Sequence, residues 1–118
     1  MAGLRVVVIG GGVAGLTAAD SARDADGEAS ITALCEEPHL PYRRPALPLV
    51  VRGCVSGLDT ITTFDREALR LRRIKYLLGT KAVDVDLSRG WVRGVKRRGE
   101  KVRLRFDRLI LATGGRPV

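Results

Sequence analysis

Leu4-Arg5-Val6-Val7-Val8-Ile9-Gly10-Gly11-Gly12-Val13-Ala14-Gly15-Leu16-Thr17-Ala18-Ala19 is the stretch that decides the fold. Its first half is apolar and rich in β-branched residues, as expected of a strand buried on both faces of a parallel sheet. It runs into Gly10-x-Gly12-x-x-Gly15, and the small residues Ala18 and Ala19 follow at helical spacing. Each glycine has a physical reason. Gly10 permits the tight turn out of the strand, and Gly12 lets backbone approach a pyrophosphate. Gly15 lets the following helix lie close to the strand. That helix directs its first N–H groups, around Val13 and Ala14, and its positive end toward bound phosphates.

The context strengthens the motif. The helix is expected over Val13 to Arg23, stopped by Asp24-Ala25-Asp26-Gly27. A second strand, Ser30 to Cys35, ends in Glu36-Glu37, about 20 residues past the last glycine, where an acid binds ribose hydroxyls. Glu36 is the first choice and Glu37 the second. An acid there favours an unphosphorylated ribose, as in FAD or NAD, over NADP. The chain therefore opens as a dinucleotide-binding βαβ unit.

Length and composition narrow the class. The 118 residues suit one domain, and no apolar run is long enough to span a bilayer. A first strand so near Met1 leaves no room for a signal peptide, so a cytoplasmic location is expected and a membrane is not. Cys35 and Cys54 form neither a disulfide framework nor a CxxC pair, and Cys35 reads as a buried thiol. The net charge of +8 is uneven: nine basic residues balance nine acidic ones through Arg73, against twelve and four beyond it. Alternation, as in Val102-Arg103-Leu104-Arg105-Phe106, puts the arginines on the solvated face of a strand. With few aromatics to stack bases, this pattern disfavours nucleic acid as the partner.

The segment Pro38-His39-Leu40-Pro41-Tyr42-Arg43-Arg44-Pro45-Ala46-Leu47-Pro48 is a stiff loop carrying two guanidinium groups. Arg43 and Arg44 could neutralise a pyrophosphate, or pair with Glu36, Glu37 or solvent. Further on, Asp65 is expected to cap a short helix, Arg66 to Arg73, and Ile74 to Leu78 to form a third strand. Trp91 to Lys96 and Lys101 to Phe106 alternate around Arg97-Arg98-Gly99-Glu100, a hairpin pattern. Val83 to Leu87 joins it to make three antiparallel strands, with Trp91 expected to pack that small sheet. Arg108 to Ala112 reads as a last parallel strand running into Thr113-Gly114.

The ordered set of strand, GxGxxGxxxA, acidic pair, Pro-His-Leu-Pro-Tyr-x-Arg-Pro-x-Leu and Ala-Thr-Gly resembles the FAD-dependent pyridine nucleotide-disulfide oxidoreductases. It looks most like the branch of rubredoxin and ferredoxin reductases, NADH oxidases and nitrite-reductase-like flavoproteins. The resemblance implies a Rossmann-like α/β domain with an antiparallel crossover sheet. The expected segments are 1–45 (βαβ motif and flavin loop), 82–106 (crossover sheet) and 108–114 (closing strand). It implies FAD with its adenosine at Glu36 or Glu37, its pyrophosphate over Gly10 to Gly15, and Arg43, Arg44 and Pro45 beside the flavin. Backbone at Ala82 or Val83 would touch the adenine, and Ala112, Thr113 and Gly114 would close on the dinucleotide. The implied reaction is hydride transfer from NAD(P)H to FAD, then electrons onward to oxygen, nitrite or a small redox protein.

The chain departs from the family pattern in two ways. Pro45-Ala46 stands where disulfide-type members carry cysteine, and Leu49 replaces a lysine common in the reductase branch. The resemblance also stops where the family enters its NAD(P)H domain. The chain is thus expected to be an N-terminal FAD-binding part, inactive without the rest, and able to dimerise through an open sheet edge. A standalone NAD-binding module and a basic nucleic-acid-binding or structural protein are the alternatives.

Overall fold

The computed structural model describes residues 3–10, 12–37 and 66–113. Their elements are β1 (Arg5–Ile9), α1 (Val13–Ala25), β2 (Ser30–Leu34), α2 (Arg66–Leu71), β3 (Ile74–Leu77), β4 (Thr80–Asp86), β5 (Trp91–Lys96), β6 (Lys101–Arg105) and β7 (Arg108–Leu111). One sheet is wholly parallel, in the order β3-β2-β1-β7, and a second is antiparallel, in the order β4-β5-β6.

The unbroken apolar run of β1 follows from its place between two layers. Val6 and Val8 pack with Leu16 and Ala19 of α1 and Leu69 of α2. Val7 and Ile9 face the other way, into a core with Leu34 and Val92. The molecule is therefore a sandwich of helices, parallel sheet and antiparallel sheet. Continuous hydrophobicity is the mark of a parallel strand covered on both faces.

The small sheet begins at Thr80, earlier than the Val83 start expected from its sequence, because backbone bonds draw the chain in. Thr80 N–H donates to Cys35 O at 2.8 Å, and Gly79 N–H donates to Glu37 O at 2.9 Å. A bulge follows: the pairing jumps from Ala82↔Gly94 to Asp84↔Arg93, so Val83 has no cross-strand partner and is exposed. That extra residue lets Ala82 and Val85, three positions apart, share the core against β1 and β2. Trp91 packs the small sheet as expected, but on its outer face. It is buried there beneath Arg93 and Arg103, while Val92 points to the core.

Arg23 ends the buried stripe of α1 begun by Leu16 and Ala19, and only 6% of it is exposed. Its guanidinium donates to the carbonyls of Asp26, Gly27, Ala29, Arg72 and Arg73. Burial, then the neighbouring Arg73 and Arg72 charges, pull its pKa below the ordinary arginine value. It stays a cation, and its donors tie the end of α1 to the α2–β3 turn. Arg72 adds to this tie by pairing with Asp20 and Asp24 of α1. Asp65, expected as the cap of α2, lies outside the described residues, as does Cys54.

Candidate dinucleotide site

From β1 the chain moves to β2 and β3 on one side and returns with β7 on the other. The carboxyl end of β1 is therefore a topological switch point, where open α/β sheets bind ligands. Hydrogen bonds fix the crevice there. Gly10 N–H donates to Leu34 O at 3.0 Å, and Ala112 N–H donates to Ile9 O at 2.8 Å.

Two of the three motif glycines are required by the packing of the chain itself. Gly10 has φ +125°, and a Cβ on it would run into the carbonyl of Ala112. The turn after β1 and the end of β7 thus depend on each other. A Cβ on Gly15 would run into the carbonyl of Gly10 and touch Val8 Cγ1 at 3.5 Å. Gly12 differs. It is exposed, it has φ −79°, and a Cβ on it would meet nothing within 4 Å. Nothing in the described chain demands a glycine there, whereas an approaching phosphate does.

The electrostatics agree with an anion at this point. Gly12 caps α1 through its backbone, with Leu16 N–H donating to Gly12 O at 3.1 Å. No side chain caps the helix, and no acidic residue stands in its first turn. The first-turn N–H groups of such a helix have no intrahelical acceptor, and the dipole end is positive. The residues present fit a dinucleotide pyrophosphate: space at Gly12, donors above it, and no carboxylate in the first turn of α1.

Glu36 is exposed, two residues beyond the Ile9–Leu34 pair, at the same edge as the glycine turn. Glu37 is half-buried, and its carbonyl takes the Gly79 N–H. Beneath them Cys35 is buried, and its N–H donates to Leu77 O at 2.9 Å. The Tyr76 hydroxyl is pushed well above its ordinary pKa, first by burial, then by its hydrogen bond with Cys35 and the charge of Glu37. Tyr76 is thus a neutral prop under the acid-bearing loop. Gly79, at φ +61°, supports that loop as well. A glycine directly after a strand pattern is the sequence signal for such a turn.

The structure gathers Gly10, Gly12, Val13, Ala14, Gly15, Glu36, Glu37, Ala112 and Thr113 at the carboxyl edge of the parallel sheet. Ala82 belongs to the core between the sheets, and Val83 stands exposed at the bulge. Arg43, Arg44, Pro45 and Gly114 lie outside the described residues. So does Gly11. Among the described residues no three His, Cys, Asp or Glu side chains gather to hold a metal, and no helix is long and apolar enough to cross a membrane.

The chain is similar to known proteins over nearly its whole length. Residues 4–118 match the family described as pyridine nucleotide-disulphide oxidoreductase. An NADH oxidase of Methanocaldococcus jannaschii is 32% identical over 115 residues, which are 97% of this chain and 26% of that protein. The ferredoxin–NAD(+) reductase component of the p-cumate 2,3-dioxygenase system of Pseudomonas putida is 37% identical over 114 residues, 96% of this chain and 27% of that protein. The solved structure of an NAD-dependent persulfide reductase from A. fulgidus superposes with a TM-score of 0.85 at 36% identity, over 98% of this chain and 22% of that one. The chain thus spans about a quarter of the length of the curated relatives it matches.

Proposed function

We propose, since the chain belongs to the pyridine nucleotide-disulphide oxidoreductase family, that it is the FAD-binding part of an NAD(P)H-dependent flavoprotein oxidoreductase. The pyrophosphate lies over Gly12 at the start of α1, and Glu36 holds the adenosine ribose, with Glu37 behind it. Ala112 and Thr113 close one side. Arg44, with Arg43 and Pro45, serves the flavin side, and backbone at Ala82 or Val83 serves the adenine. When bound, FAD accepts a hydride and releases electrons. This chain's own residues bind it, orient it and neutralise its phosphates. In the intact enzyme the donor is NAD(P)H, and the acceptor is oxygen, nitrite or a small redox protein. The chain alone has no assigned site for the hydride donor and is silent in turnover.

The observation that carries this reading is the space at Gly12, which the fold does not need and a phosphate does. The test is a visible spectrum of the purified chain after FAD addition and desalting, beside Gly12→Val. The wild-type chain is expected to keep flavin absorption. The variant is expected to lose at least about tenfold in FAD affinity, while its stability falls by only about 1 kcal/mol, the cost of replacing a glycine N-cap that has open space around it. Equal FAD binding by both proteins overturns the placement. NAD displacing FAD at equal concentration would favour the standalone NAD module.

A further inference from the structure

The outer face of the antiparallel sheet carries three rows of side chains. They are Asp86, Trp91 and Arg105; Asp84, Arg93 and Arg103; and Lys81, Val95 and Lys101. Arg93 and Arg103 are direct cross-strand partners, and like charges so placed destabilise a ladder. The sheet keeps them by stacking both guanidiniums on Trp91, 5.3 and 5.0 Å from the ring centroid. Arg93 is further offset by Asp84 at 3.4 Å. Lys101, Arg103 and Arg105 are all exposed, and among the described residues no carboxylate pairs with them. Among those residues β6 pairs with β5 alone, so this basic row runs along an edge of the sheet.

We propose that the β6 edge receives an extended acidic segment of a partner protein, with carboxylates at alternate positions, as a fourth strand. Alternate residues repeat at about 6.8 Å in any antiparallel strand, so successive carboxylates meet Lys101, Arg103 and Arg105 in register. The backbone ladder supplies affinity and the basic row supplies selectivity. Trp91 already restrains Arg103, which reduces the ordering cost of binding. A second copy of this chain does not suit the edge, because β6 against β6 sets cations against cations. Nucleic acid suits it less. The Trp91 ring is covered and offers no face to a base. Asp84 and Asp86, about 10 Å across the sheet, repel a continuous polyanion.

Trp91 is the sole tryptophan, so its emission reports on the row directly. The full chain is titrated with a labelled peptide alternating Glu and Thr, a peptide of the same composition with its glutamates in one block, and a short DNA duplex. The alternating peptide is expected to bind and shift Trp91 emission. The double variant R103E/R105E is expected to lose about tenfold or more in that affinity with an unchanged far-ultraviolet dichroism spectrum. If charge reversal prevents folding, R103Q/R105Q serves in its place. Equal binding of the blocked peptide or the duplex overturns the proposal, as does an affinity indifferent to either variant. Absence of any emission change also overturns it.

Discussion

In the parallel sheet, β1 buries Val6 and Val8 against the helices and Val7 and Ile9 against the second sheet. The antiparallel sheet buries Val92 on one face and presents Arg93, Arg103 and Arg105 to solvent on the other. β1 and β2 at the centre of the first sheet are covered on both faces, so the candidate dinucleotide site lies at its carboxyl edge, among backbone and glycines. The second has a whole face to spare, and its function is written in side chains. Family likeness should therefore reside in the first, and individual recognition in the second.

Gly15→Ala tests the tighter of the two regions. The added methyl meets the backbone carbonyl of Gly10, which cannot move without disturbing both the turn and Ala112. A loss of about 3 kcal/mol or more in urea unfolding is expected, at the upper end for overpacking. Stability within about 0.5 kcal/mol of wild type would show that α1 can slide, and the contrast between the sheets would weaken.

Two arginines sharpen the comparison. Arg23 is buried and serves five carbonyls, whereas Arg103 lies exposed over an indole. Arg23→Met strands those acceptors and should cost about 3 kcal/mol. Arg103→Met removes a surface cation–π contact and should cost less than about 1 kcal/mol. Chemical denaturation of the two variants side by side measures the difference. Equal losses would mean that the outer row is structural and not a presented surface.

The sequence made the parallel half legible because two independent patterns coincide in it: apolar runs of strand length, and glycines whose roles are fixed by close packing. Gly10-x-Gly12-x-x-Gly15 located the crevice, and Ser30 to Cys35 located the acid. What stayed hidden was three-dimensional. That Gly10 is held by Ala112 depends on a pairing across about a hundred residues of chain, for which no local pattern exists. The bulge at Val83 is an extra residue whose only sign is a shift of alternation, easily read as a strand beginning late. Arg23 looked like the end of a helix. Its position seven residues after Leu16, on the apolar stripe, was the clue that it is buried. Trp91 packs the small sheet as its size suggests, and period-two alternation with Val92 is the sign that it does so on the face away from the inter-sheet core.

The chain passes from one sheet to the other at Leu78-Gly79 and again at Phe106-Asp107, and the second junction yields the smallest expected effect. Phe106 N–H donates to Gly90 O at 2.9 Å within the small sheet, and Asp107 N–H donates to Arg5 O at 2.7 Å in the large one. The Asp107 carboxylate accepts from Arg5 N–H at 2.8 Å and from its guanidinium at 3.2 and 3.3 Å. These bonds, the guanidinium first, hold its pKa below the ordinary aspartate value. A carboxylate with a depressed folded pKa stabilises fully above its unfolded value of about 3.9 and loses that contribution as pH falls through the folded value. The clasp should thus be intact at neutral pH and weaken only below about pH 4. Asp107→Asn keeps an acceptor but removes the titration, so its stability should fall less steeply over that acid window. Urea midpoints of both proteins, measured from neutral pH down into the acid range, check this. Parallel curves would place the acid sensitivity elsewhere, and this junction would then rest on the Asp107 N–H bond and the packing of Phe106.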